Sequence, residues 1–593
     1  MKKIAISLMA GMVVLTGCDL LNNDPDTDFT KQNYFTNETN VELYCNYFYN
    51  EFSGYGNNGT YGDFYFSTLN DNQAEKGLTT WSYLNIPATS STWENAYEEI
   101  RRANILIEQL PNVEMAEANK NHWMGLARLY RGYQHYKVVR SFGDCYWVDR
   151  ELTTEDVTVL YGKRQNRDEV MDKVLEDLNY AVENMSLNAG SKTAYNVYVA
   201  NAIKAEVCLY EGTFCKYRTE AENGKAADAT RANKYLAEAK AACEVIMGSG
   251  KFALTDGTAG YRANYNSLDL SGNTEMIMYK KYVLGVLAHA TQDYCCGSTP
   301  TKGMSKAAFA AYLKADGTVA AMGDDHGTMR IDSSHIVHLA KTETLPERDS
   351  VIHDTIYTIE NILAQRDPRL AQQVDEDLRY VGKGRIRYRW ESNQVGAAEN
   401  TSYTGYGVLK FDEPATAAKN RQSTNGNETD APIFWLAEIY LDYAEACAEM
   451  GNMTQDDLDK SVNLLRRRVG MPDMALAPAA DPANNMGVSD LIWEIRRERR
   501  VEMMYDKNDR YWSLIRWHQL DKLDTKNYPE QTLGAWIDSA WKYDKENVVL
   551  NADRYIDCKG TSPDRIFDKK YYLEPIPSGQ SSLNPEIGQN LGW

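Results

Sequence analysis

A chain of 593 residues with 43% apolar and 25% charged residues has the composition of a globular protein long enough for a large core. Its formal net charge of −20 argues against binding nucleic acid, because neutralising phosphates needs a basic surface, and against broad contact with anionic lipid. After the N-terminus no stretch approaches the roughly 20 apolar residues of a spanning helix, so the body is expected to be soluble.

Lys2 and Lys3 form a basic start, and Ile4 to Thr16 is an apolar run too short to span a bilayer. Leu15-Thr16-Gly17-Cys18 closes it with a small residue before a cysteine. This is the pattern of a secretory signal, and the cysteine after Leu-Thr-Gly looks like a bacterial lipobox. Residues 1–17 are then the signal peptide, and Cys18 becomes the first mature residue and carries acyl chains. Each buried methylene gives about 0.8 kcal/mol, so several chains hold a protein firmly on a membrane. Residues 18–30 are polar, acidic and turn-prone and read as a flexible tether.

Residues 31–593 read as one mostly α-helical body. A helix is predicted from about Ser91 to Leu110. Trp123, Leu126, Tyr130 and Tyr133 recur at spacings of 3 and 4, as do Leu436, Tyr440, Tyr443, Cys447 and Met450. Helices are predicted in pairs: 122–142 with 167–185, 194–215 with 230–248, and 432–450 with 455–469. The first helix of each pair carries small residues on its packing face: Gly125, Ala127 and Gly132; Ala200, Ala202 and Ala205; Ala437, Ala444, Ala446 and Ala448. Paired helices with small contact residues suggest a tetratricopeptide-like layout over about 92–248 and 432–505. A last helix, Ser489 to Tyr505, places Glu494, Glu498 and Glu502 among four arginines, a pattern that reads as a salt-bridged or solvated face.

Between about 250 and 430 helical periodicity fades and Gly, Thr, Asn and Tyr rise. Arg385 to Trp390 alternates like a short strand. Residues 53–90 have a similar texture. Long insertions in a regular scaffold usually carry function. The chain holds 40 tyrosines against 13 phenylalanines and 12 tryptophans. Rings with a polar tip favour half-wet surfaces, which in an exported chain suits ligands such as sugars. Sugar faces pack on aromatic planes, and sugar hydroxyls need donors and acceptors such as Asn, Asp and Arg. Stretches offering both contain Asn70 to Gln73, Trp81 and Tyr83, Tyr294, and Tyr388 with Trp390. The candidate ligand contacts are Trp81, Tyr83, Asn72, Tyr294 and Trp390.

Catalytic motifs are missing: no G-x-S-x-G elbow, no H-E-x-x-H and no phosphate-cradling glycine loop. No catalytic residue, resident metal or cofactor is predicted. His326, His335 and His338 lie near Asp324, Asp325 and Asp332, but the spacing matches no standard metal site and reads as a polar loop. A glycosidase pair needs two carboxylates about 5 or 7–9 Å apart across a cleft, and no local motif marks one. Ten cysteines include Cys18 and contain no C-x-x-C pair. Cys208, Cys243 and Cys447 read as small buried hydrophobes; the adjacent Cys295 and Cys296 read as loop thiols, with a disulfide left open.

The C-terminal half carries a resemblance. Ile495-Arg-Arg-Glu-Arg-Arg-Val-Glu-Met503 and Arg510-Tyr-Trp-Ser-Leu-Ile-Arg-Trp517 are similar to a hallmark of the SusD/RagB family. So are Ala437 to Ala446, Leu464 to Gly470, Arg366-Asp-Pro-Arg-Leu370, and the ending from Tyr572 to Pro577 and Asn584 to Trp593. Departures are few: Asp506 to Asp509 stands where Glu-Gly is usual, Gln580 where Glu is common and Leu591 where Pro is common. The resemblance implies a SusD-like fold, with tetratricopeptide-like helix pairs on one side and a loop-rich face with minor β structure on the other. It implies a non-catalytic glycan-binding lipoprotein, anchored in the outer membrane and facing the exterior. Such proteins capture oligosaccharide and deliver it to a SusC-like TonB-dependent transporter. The family places its ligand contacts broadly in the stretches named above. A surface glycoside hydrolase and a peptide-binding member of the same family are the alternatives. Shallow sites of this kind should bind with Kd of about μM to mM.

Overall fold

The computed structural model describes residues 31–186, 191–296, 302–321, 323–339, 348–378, 388–391, 394–398, 402–417, 420, 423–541, 543 and 548–593. The expected signal, Cys18 and tether lie outside the described residues. Eight helices build the scaffold: α1 (Ser91–Gln109), α2 (Glu117–Phe142), α3 (Arg167–Asn184), α4 (Val197–Tyr217), α5 (Ala229–Met247), α6 (Leu436–Glu449), α7 (Asp490–Glu502) and α8 (Asp509–Arg516). Short polar side chains start most of them. Asn166 accepts from the Asp168 N–H, Asn196 from Tyr198 and Val199, and Asp228 from Arg231. Each satisfies backbone donors that the first turn leaves unpaired.

α1 packs on α2, α2 on α3, α4 on α5, α5 against α6 and α6 against α7. The expected small residues permit this closeness. A Cβ at Gly125 would stand 2.7 Å from Met185 Cγ, and one at Gly132 would stand 3.2 Å from Asp177 Cβ. Gly212 of α4, which the sequence reading passed over, does the same against Leu236 Cγ at 2.7 Å. The predicted helix over 455–469 is instead two short ones, Gln455–Asp459 and Val462–Arg468. Ser461 sits at the break and its hydroxyl bonds the Asp457 carbonyl, competing with the helical ladder.

The core has two large parts. The first is formed mainly by α1–α6. The second gathers Tyr55, Tyr65, Tyr261, Tyr265, Tyr312 and Tyr406 around Phe411 and Trp435. Their hydroxyls need internal partners: Tyr55 donates to the Tyr265 carbonyl at 2.6 Å and Tyr261 to the Glu502 carbonyl at 3.2 Å.

α7 is buried along most of its length, including Glu494, Arg496, Glu498, Arg499 and Glu502. The expected ion pairs are present but enclosed, and solvation plays little part. Arg369 bonds Glu498 at 2.6 Å and Glu502 at 2.9 Å; Arg466 meets Glu498 at 2.8 Å; Arg499 meets Glu445 at 2.9 Å. Burial works against these carboxylates, but the arginines prevail and hold Glu498 and Glu445 down to about 2. Asp367-Pro368 suits an N-cap followed by proline in the first helical turn. The short helix starts at Leu370 instead, although Asp367 Oδ1 accepts from the Arg369 N–H at 3.0 Å and clamps the Arg369 guanidinium. In the Asp506 to Asp509 stretch, Lys507 and Asn508 adopt positive φ of 48° and 54°. That conformation favours glycine or asparagine.

The described strands form five two-stranded antiparallel ladders. The 328–339/348–358 hairpin sets Arg330 opposite Ile356, and Met276–Lys280 pairs with Ala431–Trp435. Gln73–Glu75 pairs with Lys302–Met304, with Gln73 opposite Met304. This last ladder ties the 53–90 loops to the loops around residue 294.

Candidate functional site

The 53–66 loop is tightly closed. Gly54, Gly56 and Gly59 have φ of 59°, 102° and 97°, and a Cβ on Gly56 would fall 2.1 Å from the Thr60 carbonyl oxygen. Only glycine fits that close approach. The Thr60 hydroxyl donates to the Asn57 carbonyl at 2.8 Å, and Asn58 exchanges hydrogen bonds with Ala288. Tyr282 locks the loop from below, its hydroxyl bonding the Gly56 carbonyl at 2.8 Å.

The loop holds Tyr61 outward, 56% exposed. Its ring stacks on Phe66, with centroids 4.4 Å apart and planes 20° apart, and meets Tyr294 edge-on at 5.2 Å. Phe66 and Tyr294 also meet edge-on at 5.5 Å. The Tyr61 hydroxyl donates to that of Tyr294 at 3.1 Å. This bond, with burial, pushes Tyr294 up to about 12. Tyr65 fixes the other side by donating to the Tyr294 carbonyl at 2.7 Å. Polar groups flank the rings: Asn57 accepts from Lys280 Nζ at 2.8 Å, and the exposed Asn425 amide borders Gly59. Three half-wet rings beside amides and hydroxyls form a surface of the kind that can pack on sugar C–H faces and bond sugar hydroxyls.

Of the five expected contacts, the structure brings Tyr294 into this cluster. Trp81 stands elsewhere and is buried. Its ring lies under Tyr571 at 4.5 Å, its edge meets Phe567, and its Nε1 donates to the Ile566 carbonyl at 2.7 Å. The open ring face expected of Trp81 is covered by the C-terminal segment. Asn72 is buried too, its Oδ1 accepting from Arg500 Nε at 2.7 Å, so its amide oxygen is taken up by the scaffold. Tyr83 is half-buried with its hydroxyl against Ser90 and Glu574, and burial pushes its pKa up. Trp390 lies on the Tyr388–Glu391 strand, and its side chain lies outside the described residues. Sequence reasoning did not single out Tyr61 and Phe66, the rings that meet Tyr294 in the cluster. The signal was the glycine-dense run before Tyr61, which marks a loop shaped to present a side chain.

Asp324, Asp325 and His326 take separate partners. Asp325 is buried against Lys306 at 2.6 Å, Asp324 meets Lys314 at 3.0 Å, and His326 stacks on Trp536 at 4.0 Å. Asp332, His335 and His338 lie on the 328–339 strand, with side chains outside the described residues. Among the described residues, Asp168, Glu211 and Cys215 come close enough to ligate one ion. Arg167, Arg218 and Arg231 already engage both carboxylates. Cys208, Cys243 and Cys447 are buried free thiols, and Cys295 is buried.

A family model described as the SusD family matches residues 243–593. A second, described as starch-binding associating with outer membrane, matches residues 20–209. A SusD-like protein of Formosa agariphila is 23% identical over 448 residues, covering 73% of this chain and 74% of its own. The crystal structure of a SusD-like carbohydrate-binding protein from Bacteroides fragilis shares the fold with a TM-score of 0.66 at 18% identity, covering 94% of this chain and 100% of its own. A laminarin-binding SusD-like protein superposes with a TM-score of 0.52 at 16% identity, covering 94% and 100%. A structure with xylogluco-oligosaccharide reaches 0.57 at 16% identity, covering 92% and 97%. With a mostly helical SusD-like architecture and a family model matched over more than half its length, this chain belongs to the SusD family.

Proposed function

We propose that this protein is a non-catalytic glycan-binding lipoprotein of the outer-membrane surface that captures oligosaccharide and hands it to a SusC-like TonB-dependent transporter. The observation that carries the reading is the half-exposed cluster of Tyr61, Phe66 and Tyr294. Relatives of the same fold that bind laminarin or hold xylogluco-oligosaccharide support it. The lipobox-like Leu15 to Cys18 supports the anchor. A groove of about 510 Å³ between α1 and the C-terminal segment supports transporter docking on the helical side. Leu160, Tyr161 and Leu583 line it, and Leu583 is 70% exposed.

Two carboxylates with raised pKa sit inside the scaffold. Asp442 and Asp506 are pushed up to about 6 by burial and paired with Arg499 and Lys410.

The test is affinity gel and calorimetry of the purified protein against neutral glycans, with analysis of the recovered glycan. Binding with the glycan intact is expected, and Tyr61→Ala should weaken it at least tenfold. Glycan cleavage would overturn the non-catalytic reading. Retention on peptides alone would move the assignment to a peptide-binding member. Unchanged affinity in folded Tyr61→Ala would remove the aromatic cluster from the site.

A further inference from the structure

A cavity of about 600 Å³ opens beside Asp71, between α7 and the Lys306–Ala311 helix. Ala307 and Ala311 supply apolar lining from the Lys306–Ala311 helix, while α7 contributes Trp493, Arg497 and Arg500 and α8 contributes Arg510. Pockets of roughly 300–1,000 Å³ hold small organic ligands. Arg497 and Arg500 stand three residues apart and so share a helix face.

The wiring of these arginines is incomplete. Arg510 grips Asp71 through two parallel bonds, Nε at 2.7 Å and Nη2 at 2.8 Å. Arg500 leans on the same carboxylate at 3.2 Å while its Nε bonds Asn72 and its Nη2 the Asp71 carbonyl. Two guanidiniums therefore share one carboxylate. Arg497 meets Asp481 and, at 3.1 Å, Glu494. In each case the bonds use Nε or Nη2. Among the described residues, the Nη1 groups of Arg497, Arg500 and Arg510 have no hydrogen-bond acceptor. Guanidinium forks match carboxylate and sulfate geometry better than any other side chain. Burial, with Arg510 nearby, pushes Arg500 down to about 10, as expected of a cation short of a counter-charge. Asp481 and Glu530 also line the cavity; Asp481 is taken up by Arg497 and Trp493. Burial and the Asp71 charge raise the Glu530 pKa.

We propose that this cavity is a second ligand site, separate from the Tyr61 cluster, which takes the carboxylate or sulfate group of an acidic sugar. The Nη1 groups bond the oxyanion, and the ring face packs on Trp493 and the alanine wall. The proposal does not depend on the aromatic cluster being a glycan site.

The test is calorimetry of the whole protein with a trigalacturonate, a neutral trisaccharide and sodium sulfate. The acidic trisaccharide should bind at least tenfold more tightly than the neutral one, with affinity falling as salt rises. Arg500→Lys keeps a charge but loses the fork, and should cost about tenfold or more. Ala311→Phe narrows the cavity without touching an ion pair, so it keeps the test open if Arg500→Lys misfolds; it should cost as much. Tyr61→Ala should leave the acidic sugar unaffected. Equal binding of acidic and neutral sugars, or unchanged affinity in Ala311→Phe, would overturn the site. Sulfate alone binding as tightly as the acidic sugar would overturn the sugar assignment.

Discussion

Helices α4 and α7 are both buried over most of their length, α4 mainly by apolar contact and α7 mainly by ion pairs. α4 puts Val199, Ala200, Ile203, Val207 and Leu209 into the core beside a glycine, Gly212, that lets α5 come close. α7 buries Arg496, Arg499, Glu498 and Glu502. Its arginines and glutamates reach Arg369, Asp442, Glu445, Glu449 and Arg466 on three other segments. Apolar burial is non-directional and asks only for volume. Ionic burial is tolerated only while every partner is in place. α4 is thus a packed slab and α7 a clamp that holds distant pieces of chain in register, Asp71 among them.

That contrast can be broken most strongly at Glu445. Its carboxylate receives Arg499, Arg516 and the Trp517 Nε1. Glu445→Ala leaves two buried guanidiniums short of a counter-charge and should cost about 3–5 kcal/mol in chemical denaturation; a loss below about 1 kcal/mol would mean that water reaches the clamp.

Acid should act on the same region. Glu445 and Glu498 are held at about 2 in the folded protein against an ordinary 4.5. Depressed carboxylates stabilise fully above the unfolded pKa and lose that contribution as pH falls through the folded one. Stability should therefore drop between about pH 4.5 and 2, by roughly 3 kcal/mol for each carboxylate. Glu498→Gln should flatten that slope when denaturation midpoints are compared across pH.

Trp81→Ala removes a large buried ring and should cost about 3 kcal/mol while leaving neutral-glycan affinity unchanged in the folded variant. A selective loss of binding would return Trp81 to the site. On the apolar side, Gly212→Val drives a Cβ into Leu236 and should cost about 1–3 kcal/mol by overpacking, read as a lower melting temperature. The smallest stability effect belongs to Tyr61→Ala, below about 0.5 kcal/mol because the ring is exposed. Its expected tenfold loss of affinity then marks function apart from folding.

Much of the scaffold was legible from the chain alone. Spacings of three and four placed α2–α6 within a few residues of their ends, and the small residues of α2 do lie where α3 approaches. Periodicity reports which side of a helix is apolar, and that depends only on local geometry. The glutamates and arginines of α7 also announced ion pairs, but not that the pairs would be enclosed.

What only the tertiary structure decided are the pairings between remote segments. Trp81 and Asn72 looked like ligand contacts because their residue types suit sugars. Their fate was set by the Ile566 carbonyl, 485 residues from Trp81, and by Arg500, 428 residues from Asn72. Tyr61 and Tyr294 lie 233 residues apart and meet through loops that the Gln73–Glu75 and Lys302–Met304 ladder draws together. Asp71 joins Arg510 across 439 residues. A sequence determines which faces are apolar and which residues bear charge, because those properties are local. Whether a ring is covered and whether an arginine keeps a free N–H depend on what long-range packing brings beside it.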